Sequence, residues 1–194
     1  MPRKLEDPKA TIREEATKLF AKNGYHATGI EDISRAVGLG RGALYHHIGS
    51  KEQLLFEISS MGLDELMTKS QAIIDQDMSA SEKLRALSRV LMRNLAENQS
   101  AMTVYLREVG LMSRKYRTRL VTRRHRYEDL WTALLEEGIA SGEFLDLDPT
   151  IVKGMLGMHN YAYLWLHPDG RLSPEEIADL FCSVILKGLE RQRI

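Results

Sequence analysis

The spacing of apolar residues constrains this chain more than any other feature of its sequence. Along most of its length, apolar side chains recur three and four residues apart, which is the period of a helix that buries one face. No segment shows the strict alternation of apolar and polar residues that a half-buried strand requires. The sequence therefore predicts an all-α fold of about nine helices.

Glycines and capping residues divide the first quarter of the chain into short helices. Thr28 and Glu31 have the spacing of a capping box and are predicted to start the second helix. A fourth and longer helix is predicted to start after Ser50 and to run towards Ile74. The pattern predicts a head of three short helices, which this long helix joins to a larger body.

Two of the short helices, on either side of a glycine-containing turn, have the outline of a helix-turn-helix, whose second helix lies in the major groove of DNA. Leu44 and Ile48 share one face of that helix and are predicted to be buried, so its other side chains face outward. Arginine reads guanine edges or binds phosphate, and small residues let the helix approach the bases. The residues of this segment predicted to contact DNA are Gly40, Arg41, Gly42, Ala43, Tyr45, His46 and His47.

Lys51 stands at the start of the fourth helix, where free backbone N–H groups already favour an anion, and we assign it to a DNA phosphate. Any affinity for DNA has to come from local groups of this kind, because the chain has 27 basic and 27 acidic residues and a formal charge of zero. Overall charge therefore gives no indication of a polyanionic partner.

The short apolar runs and the absence of a targeting pattern predict a cytoplasmic protein with no membrane partner. The single cysteine, Cys182, lacks the partner cysteines of a disulfide or a zinc site. It lies among apolar residues and is interpreted as a small buried side chain rather than a redox sensor. No metal site is predicted.

The segment from Thr28 to Leu54 resembles the signature of the TetR family of transcriptional regulators. The resemblance rests on Thr-Gly-Ile-Glu-Asp-Ile at 28–33, Ala-Val-Gly at 36–38, and Gly-Ala-Leu-Tyr-His-His-Ile-Gly-Ser-Lys-Glu-Gln-Leu at 42–54. Ile48 stands where the family usually has phenylalanine, which keeps an apolar side chain at that position.

This resemblance implies a DNA-binding helix-turn-helix domain over residues 1–52 and a ligand-binding and dimerisation domain over 53–194. Thr28, Tyr45 and Lys51 match the phosphate-contacting positions of the family, and residues 40–46 match those that meet bases. It also implies a homodimer on palindromic operator DNA, because two heads must reach half-sites about one DNA turn apart.

The last two long helical segments carry broad apolar stripes, and Gly154 and Gly157 would permit close helix approach. One interpretation is that these stripes pack inside the core of a single chain. The other, which the TetR resemblance favours, is a four-helix dimer interface. The residues predicted to form it are Met155, Met158, Ala162, Ile177, Phe181, Val184, Ile185 and Gly188.

Residues 105–131 contain a run of basic residues with few acids. Such a run usually forms a solvated helix face. Arg124, however, falls on an apolar stripe between Leu120 and Tyr127. An arginine there snorkels, pairs with a carboxylate such as Glu128, or faces a cavity that holds an anion.

Residues 105–190 resemble a TetR subgroup that senses CoA thioesters of fatty, aromatic or sterol-derived acids. The matching motifs include Tyr-Leu-Arg-Glu at 105–108, Gly-Met-His-Asn-Tyr at 157–161, and Pro168 with Gly170. The resemblance implies an acyl-CoA effector, since arginines beside aromatics suit its phosphates and its acyl part. The predicted ligand-binding residues are Tyr105, Arg107, Arg114, Arg117, Arg124, Tyr127, Trp131, Asn160, Tyr161 and Trp165.

Two other classes of function compete with a DNA-binding regulator. A small helical enzyme is disfavoured because the chain has no G-x-S-x-G, H-E-x-x-H or phosphate-loop motif. The string from Gly38 to Ala43 fits the dinucleotide pattern G-x-G-x-x-A, but the preceding residues are helical and no strand precedes it. A helical interaction module that does not bind DNA is the remaining alternative. The sequence predicts a repressor without a cofactor, released from its operator by a small-molecule effector.

Overall fold

The computed structural model describes residues 7–167 and 169–189, so Pro168 lies outside the described residues. Within these ranges the chain forms ten α-helices, two short 3-10 helices and no β-strand, which confirms the all-α prediction. The α-helices are α1 (Pro8–Asn23), α2 (Ile30–Val37), α3 (Arg41–Ile48), α4 (Lys51–Ser59), α5 (Leu63–Ile74), α6 (Ala80–Glu97), α7 (Gln99–Glu108), α8 (Arg114–Ala140), α9 (Ile151–Asn160) and α10 (Pro174–Leu189). The 3-10 helices are Val109–Leu111 and Tyr161–Leu164. None of the described helices is long and apolar enough to cross a membrane.

The predicted fourth helix is wrong in one respect, because the chain turns between α4 and α5. Gly62 has φ 72°, a left-handed conformation that side chains with a Cβ rarely adopt. The Asn94 side chain donates to the Gly62 carbonyl at 3.0 Å and fixes this turn. The apolar spacing continues on both sides of Gly62, so periodicity alone predicts one helix where the structure has two.

The packed helices divide into two compact units. Unit 1 comprises the chain up to Met61 together with Gln99–Val121, and unit 2 comprises Gly62–Asn98 together with the chain from Thr122 onward. α7 and the first turns of α8 thus pack with the N-terminal helices. The predicted division into two consecutive segments, 1–52 and 53–194, does not anticipate this arrangement. A functional boundary near residue 52 stays a prediction.

Unit 1 is built around apolar side chains from all its helices. Leu44 and Ile48 are buried, as the sequence predicted. Their partners include Phe20 of α1, Ile33 of α2 and Val104 of α7. Each such side chain contributes roughly 1.5–3 kcal/mol when removed from water. This shared core fixes the position of α3 in the unit.

The start of α2 differs from the prediction by one residue. Gly29 is the N-cap, and its N–H donates to the Asp32 carboxylate at 2.8 Å. Thr28 takes no part in that cap, because its hydroxyl donates to the Gly24 carbonyl at 2.9 Å. The predicted capping box of Thr28 and Glu31 is therefore wrong. Two capping boxes are possible one residue apart in sequence: Thr28 with Glu31, and Gly29 with Asp32. The hydrogen bond from the Thr28 hydroxyl to the Gly24 carbonyl favours the second.

Unit 2 brings α5, α6, α9, α10 and most of α8 together. α6 packs mainly against α10 and α5. Cys182 of α10 is fully buried beside Leu84, consistent with its interpretation as an apolar packing residue. Burial raises the pKa of its thiol, which disfavours the reactive thiolate.

Gly138 of α8 is required by close packing within unit 2. A Cβ built at this position would lie 2.1 Å from Cδ2 of Phe144. Gly138→Ala is expected to lower the free energy of unfolding by about 1–3 kcal/mol, because the ring has to move out of a filled core. Denaturant unfolding measures the difference. Gly110→Ala is the control, since open space surrounds that position. A Gly138→Ala variant as stable as the wild type would contradict this packing.

Candidate nucleic-acid interface and effector site

The helix-turn-helix consists of α2, a turn at Gly38–Gly40, and α3. Gly38 ends α2 in the left-handed conformation, with φ 70°, and its N–H donates to the Ser34 carbonyl. α3 begins three residues later with Gly40 as its N-cap. Buried Ile33, Val37 and Leu44 hold the two helices against the unit 1 core.

The outward face of α3 carries the side chains that the sequence predicted. Arg41, Gly42, Ala43, Tyr45 and His46 are exposed. The Arg41 guanidinium lies 5.8 Å from the centre of the Tyr45 ring. A small surface at Gly42 and Ala43 therefore lies beside an arginine and a phenol, a combination that suits close approach to base edges and phosphates. Gly40 is also exposed, and His47 is half-buried.

Lys51 is positioned by aromatic rings at the start of α4. Its ammonium lies 4.3 Å from the centre of the Tyr25 ring and 6.0 Å from that of Phe20. Burial lowers the pKa of Lys51, and the charges of Asp32 and Glu108 oppose this effect. The lysine thus stands at a helix N-terminus with its side chain directed by cation–π contacts.

Thr28 has a different place from the one that its predicted role requires. Its side chain is fully buried, and its hydroxyl donates to the carbonyls of Gly24 and Leu19. In this arrangement the hydroxyl is not offered to a phosphate. Thr28 instead fixes the loop that precedes α2.

Glu108 of α7 supports the head in a way that the sequence did not indicate. Its carboxylate is buried and accepts from the Tyr25 N–H at 3.2 Å. Tyr25 in turn contacts Lys51, so Glu108 fixes a residue that positions the lysine. The only sequence signal was its place in the motif at 105–108, which gave no role for the carboxylate.

The start of α8 and the residue before it contact α4 within unit 1. The Arg119 guanidinium lies 4.8 Å from the centre of the Phe56 ring on α4, and the Tyr116 ring lies 5.2 Å from it. The Ser113 N–H donates to the Glu52 carboxylate. α8 therefore contacts the second turn of α4, and Ser113, just before α8, contacts the first turn.

The predicted ligand-binding residues fall into both units. Four belong to unit 1: Arg107, Arg114 and Arg117 are exposed, and Tyr105 packs half-buried against the core. The other six belong to unit 2 and are Arg124, Tyr127, Trp131, Asn160, Tyr161 and Trp165.

Within unit 2, an aromatic array connects α8, α9 and α10. Ring centres lie 6.4 Å apart for Tyr127 and Trp131, 5.4 Å for Trp131 and His159, and 5.3 Å for His159 and Phe181. Trp165 follows at 6.3 Å from Phe181. The array contains three predicted ligand-binding residues and also Phe181, which was predicted at the dimer interface. Arg124 and Asn160 are half-buried, and Tyr161 is exposed.

Polar atoms accompany the first two rings of this array. The Tyr127 hydroxyl, the Trp131 indole N–H and the Ser70 hydroxyl of α5 are all buried. Burial raises the pKa of Tyr127 to about 12, although hydrogen bonding with the Trp131 and Ser70 side chains acts in the opposite direction. Ser70 was not singled out from the sequence.

His159 is a buried histidine with both ring nitrogens occupied. Its Nδ1 lies 2.7 Å from the Met155 carbonyl, which only accepts, so Nδ1 carries the proton and Nε2 accepts from the Ser88 hydroxyl at 2.6 Å. Both side chains have no exposed surface. This serine and histidine therefore form a structural pair rather than a catalytic one. Among the described residues, no group of three or more metal-binding side chains occurs.

Burial lowers the pKa of His159, which makes stability depend on pH. The unfolded chain takes up a proton near pH 6.5 and the folded chain only at lower pH, so the contribution is present above that value and lost as pH falls through it. The free energy of unfolding is expected to fall between pH 7 and 5, by at most about 1.4 kcal/mol per pH unit from this group. His159→Gln is expected to have a shallower pH dependence in denaturant titrations.

His125→Gln is the control for this measurement, because it removes an exposed histidine from α8. An unchanged pH dependence in His159→Gln would contradict the interpretation of His159 as a group that must stay neutral in the fold.

The predicted dimerisation residues divide between core and surface. Met155, Ala162, Ile177 and Ile185 are buried inside unit 2 and supply core rather than contact surface. Met158, Val184 and Gly188 are exposed, and Phe181 is half-buried.

Other exposed apolar residues lie beside these on α9, on Tyr161–Leu164 and on α10. Leu180 is 53% exposed and Val184 is 64% exposed, one turn apart on α10. We define the apolar face by its exposed residues Ile151, Met158, Tyr161, Leu164, Trp165, Leu180 and Val184. A pocket of about 370 Å³ opens beside Leu180 and Trp165 and is lined mainly by apolar side chains. Leu180 was missed because the apolar stripe of α10 is broad enough to serve both core and surface.

Comparison with known proteins places both parts of the chain in one family. Residues 12–58 match the family of bacterial regulatory proteins named tetR, and residues 77–189 match the tetracyclin repressor-like C-terminal domain. The HTH-type transcriptional repressor KstR2 of Rhodococcus jostii is 32% identical over 177 residues, which cover 90% of this chain and 87% of the relative.

Two solved structures extend this likeness to the fold. PfmR, a TetR family regulator from Thermus thermophilus, matches with a TM-score of 0.85 and 35% identity over 93% of this chain and 99% of its own. AibR, solved in complex with isovaleryl coenzyme A and operator DNA, matches with a TM-score of 0.80 and 29% identity over 92% of this chain and 97% of its own. The chain therefore belongs to the TetR family and is a transcriptional regulator rather than an enzyme.

Proposed function

We propose that this regulator is a homodimeric repressor that binds palindromic operator DNA and is released by an acyl-CoA effector. The observation that carries the DNA-binding part is the exposed N-terminal turn of α3, where Arg41, Gly42 and Ala43 form a small basic surface. Tyr45 lies one turn along the same helix, and Lys51 stands at the start of α4. Together these residues supply base-reading and phosphate-binding groups on one rigid unit.

The apolar face of α9 and α10 supports the dimer. A monomer rarely exposes so many large apolar side chains in one region, and such a face marks a contact surface. A second copy of this chain is the proposed occupant, because two heads on a palindrome require a two-fold axis. The proposed interface residues are the exposed ones, including Met158, Leu180, Val184 and Gly188. The four buried residues among those predicted for dimerisation are not part of the proposed interface.

The aromatic array of unit 2 supports an effector with an apolar part. Tyr127 and Trp131 are buried together, and Arg124 lies half-buried one turn before Tyr127 on α8. An acyl-CoA ester has both an apolar chain and phosphates, which matches aromatics next to an arginine. AibR was solved with isovaleryl coenzyme A, and this chain resembles AibR along nearly its whole length.

Release from DNA follows from linkage. If the effector and the operator favour different conformations, each weakens the binding of the other by the same factor. α8 is the proposed connection, because this uninterrupted helix carries Tyr127 and Trp131 in unit 2 and contacts α4 through Arg119 in unit 1. The long fourth helix that the sequence predicted between head and body is interrupted at Gly62 and is not the proposed connection.

The experiment has two steps. Random DNA duplexes are first selected by the wild-type protein, and the affinity for the selected duplex is measured at several salt concentrations. We expect an enriched palindrome and an affinity that falls steeply with salt. Acetyl-, isovaleryl-, octanoyl-, palmitoyl- and benzoyl-CoA are then added. At least one is expected to weaken DNA binding by about 5–150-fold.

Each part of the proposal has its own contrary result. Failure to enrich any duplex would exclude operator binding. Enrichment without any acyl-CoA effect, on either DNA affinity or the melting temperature, would keep the DNA-binding function and exclude the acyl-CoA effector.

A further inference from the structure

The segment of unit 1 from Gln99 to Val121 has charge of almost one sign. Its basic residues are Arg107, Arg114, Lys115, Arg117 and Arg119. All five are exposed, and none forms an ion pair with another residue in the ranges that the structure describes. The only acid of the segment, Glu108, is buried and accepts from the Tyr25 N–H. Like charges this close together repel each other, so the segment favours an anionic partner.

Three of these arginines are available to such a partner. Arg119 packs over the Phe56 ring, whereas Arg114 and Arg117 are three residues apart in the first turn of α8 and share one face of that helix. Arg107 makes one long hydrogen bond, 3.4 Å from Nη1 to the Ala21 carbonyl, and its other donors point to solvent or to a partner. We define the basic surface by Arg107, Arg114 and Arg117.

The Arg107 end of the basic surface lies beside the loop that precedes α2. Arg107 itself reaches the Ala21 carbonyl near the end of α1. The next residue, Glu108, accepts from the Tyr25 N–H, and the Tyr25 ring lies 4.3 Å from the Lys51 ammonium. A short series of contacts therefore leads from Arg107 to the lysine that we assign to a DNA phosphate.

The Arg114 end lies beside the start of α4. Ser113 directly precedes Arg114, and its N–H donates to the carboxylate of Glu52, the residue after Lys51. The basic surface is thus connected to the surroundings of Lys51 at both of its ends. Double-stranded DNA carries one negative charge per about 1.7 Å of helix axis, so a phosphate bound by Lys51 has other phosphates close by.

We propose that Arg107, Arg114 and Arg117 bind the phosphate backbone of the operator, next to the phosphate that Lys51 contacts. The inference rests on the proposed function, because it extends the DNA interface from α3 and α4 to α7 and α8. It also gives a different role to three arginines that the sequence assigned to the effector. They belong to unit 1 together with α3, whereas the aromatic array belongs to unit 2. Phosphate contacts add affinity and salt dependence but no base specificity.

A variant with all three arginines replaced by glutamine tests the proposal in the full chain. Its affinity for the selected duplex is measured at several salt concentrations and is expected to be at least tenfold lower at the lowest of them. Each phosphate contact contributes about 0.9 to the slope of log K against log salt. Because a dimer carries the basic surface twice, the slope should be smaller by at least about 2.

The matched control removes the same charge from unit 2. It replaces Lys69, Arg126 and Lys153, which are exposed basic residues of that unit, by glutamine. The control should bind the duplex with the affinity and the salt dependence of the wild type. General loss of positive charge would affect both triple variants alike, whereas lost phosphate contacts affect only the first.

A duplex of unrelated sequence supplies a second measurement. Phosphates are present in every duplex, so the arginine variant is expected to lose affinity for unrelated DNA by a similar factor. Its melting temperature should be at least that of the wild type, because replacing like charges relieves repulsion. Weaker binding would then reflect the missing contacts rather than unfolding.

The outcomes separate this inference from the proposed function. An affinity and a salt dependence equal to those of the control variant overturn the basic surface as a DNA contact and leave operator binding by α3 in place. A variant that binds DNA as the wild type does but no longer responds to acyl-CoA also overturns it, and assigns the arginines to the effector. Failure of the wild type itself to enrich a duplex excludes operator binding altogether.

Discussion

Replacing Val184 by arginine is expected to convert the proposed dimer into a monomer and to weaken operator binding by at least about a hundredfold. Val184 lies on the exposed side of α10, with Leu180 one turn before it and Gly188 one turn after it. In a two-fold interface the same substitution enters from both copies, so two arginines face an apolar surface without a carboxylate partner. Sedimentation velocity measures the assembly state.

The loss of operator affinity is expected because the two DNA-binding heads would no longer be held together in one dimer. Two linked heads bind a palindrome with an avidity that exceeds either half-site affinity by about 10²–10⁴. A monomer retains α3 and loses this factor, which a titration of the selected duplex detects. Because Val184 is 64% exposed in the single chain, the substitution should leave the fold of the monomer intact.

Ala72→Arg is the matched control, since it places the same charge at an exposed position of α5, a helix that carries none of the residues that define the apolar face. It should remain dimeric. A Val184→Arg variant that sediments as a dimer and binds the duplex normally would place the interface on another surface.

Local sequence signals were sufficient wherever neighbouring residues decide the structure. Leu44 and Ile48 were predicted to be buried from their spacing, and both are. The serine cap at Ser50 was also predicted correctly, because the accepting hydroxyl and the donating Gln53 N–H are three residues apart. These features depend on the geometry of one turn of helix, which the sequence encodes directly.

Periodicity was insufficient where a helix is apolar on more than one side. On α10, Ile177 and Ile185 face the core, whereas Leu180 and Val184 face outward. All four lie in one broad stripe, and nothing in the stripe indicates which part a single chain can cover by itself. The packing partner of each face is contributed by residues distant in sequence.

Contacts between distant segments account for the residues that were missed at the candidate sites. Glu108 reaches Tyr25 across 83 positions of sequence, so its role depends on the fold of unit 1. Ser70 had a local signal, because it is a polar residue on the buried face of α5 that also contains Leu66. Its neighbours Tyr127 and Trp131, however, come from α8.

Replacing Gly42 by glutamate is expected to lower the affinity for the selected duplex by at least about a thousandfold, to the level of nonspecific binding. Gly42 is exposed in the first turn of α3, and a Cβ there would meet open space. A carboxylate is favourable at a helix N-terminus, and glutamate is a better helix former than glycine. The fold should therefore be as stable as the wild type, while the side chain adds bulk and negative charge to the surface that is proposed to face the major groove.

Gly110→Glu provides the matched control, because it makes the same change of charge at an exposed position of unit 1 with open space around it. General repulsion of DNA by one added carboxylate would affect both variants alike, whereas a block at the major groove affects only Gly42→Glu. Arg41→Ala extends the test: a loss of about 1–3 kcal/mol confined to particular bases indicates base reading, and a uniform loss with a smaller salt dependence indicates phosphate binding. Unchanged affinity in Gly42→Glu would mean that α3 does not enter the groove and that another surface of unit 1 contacts DNA.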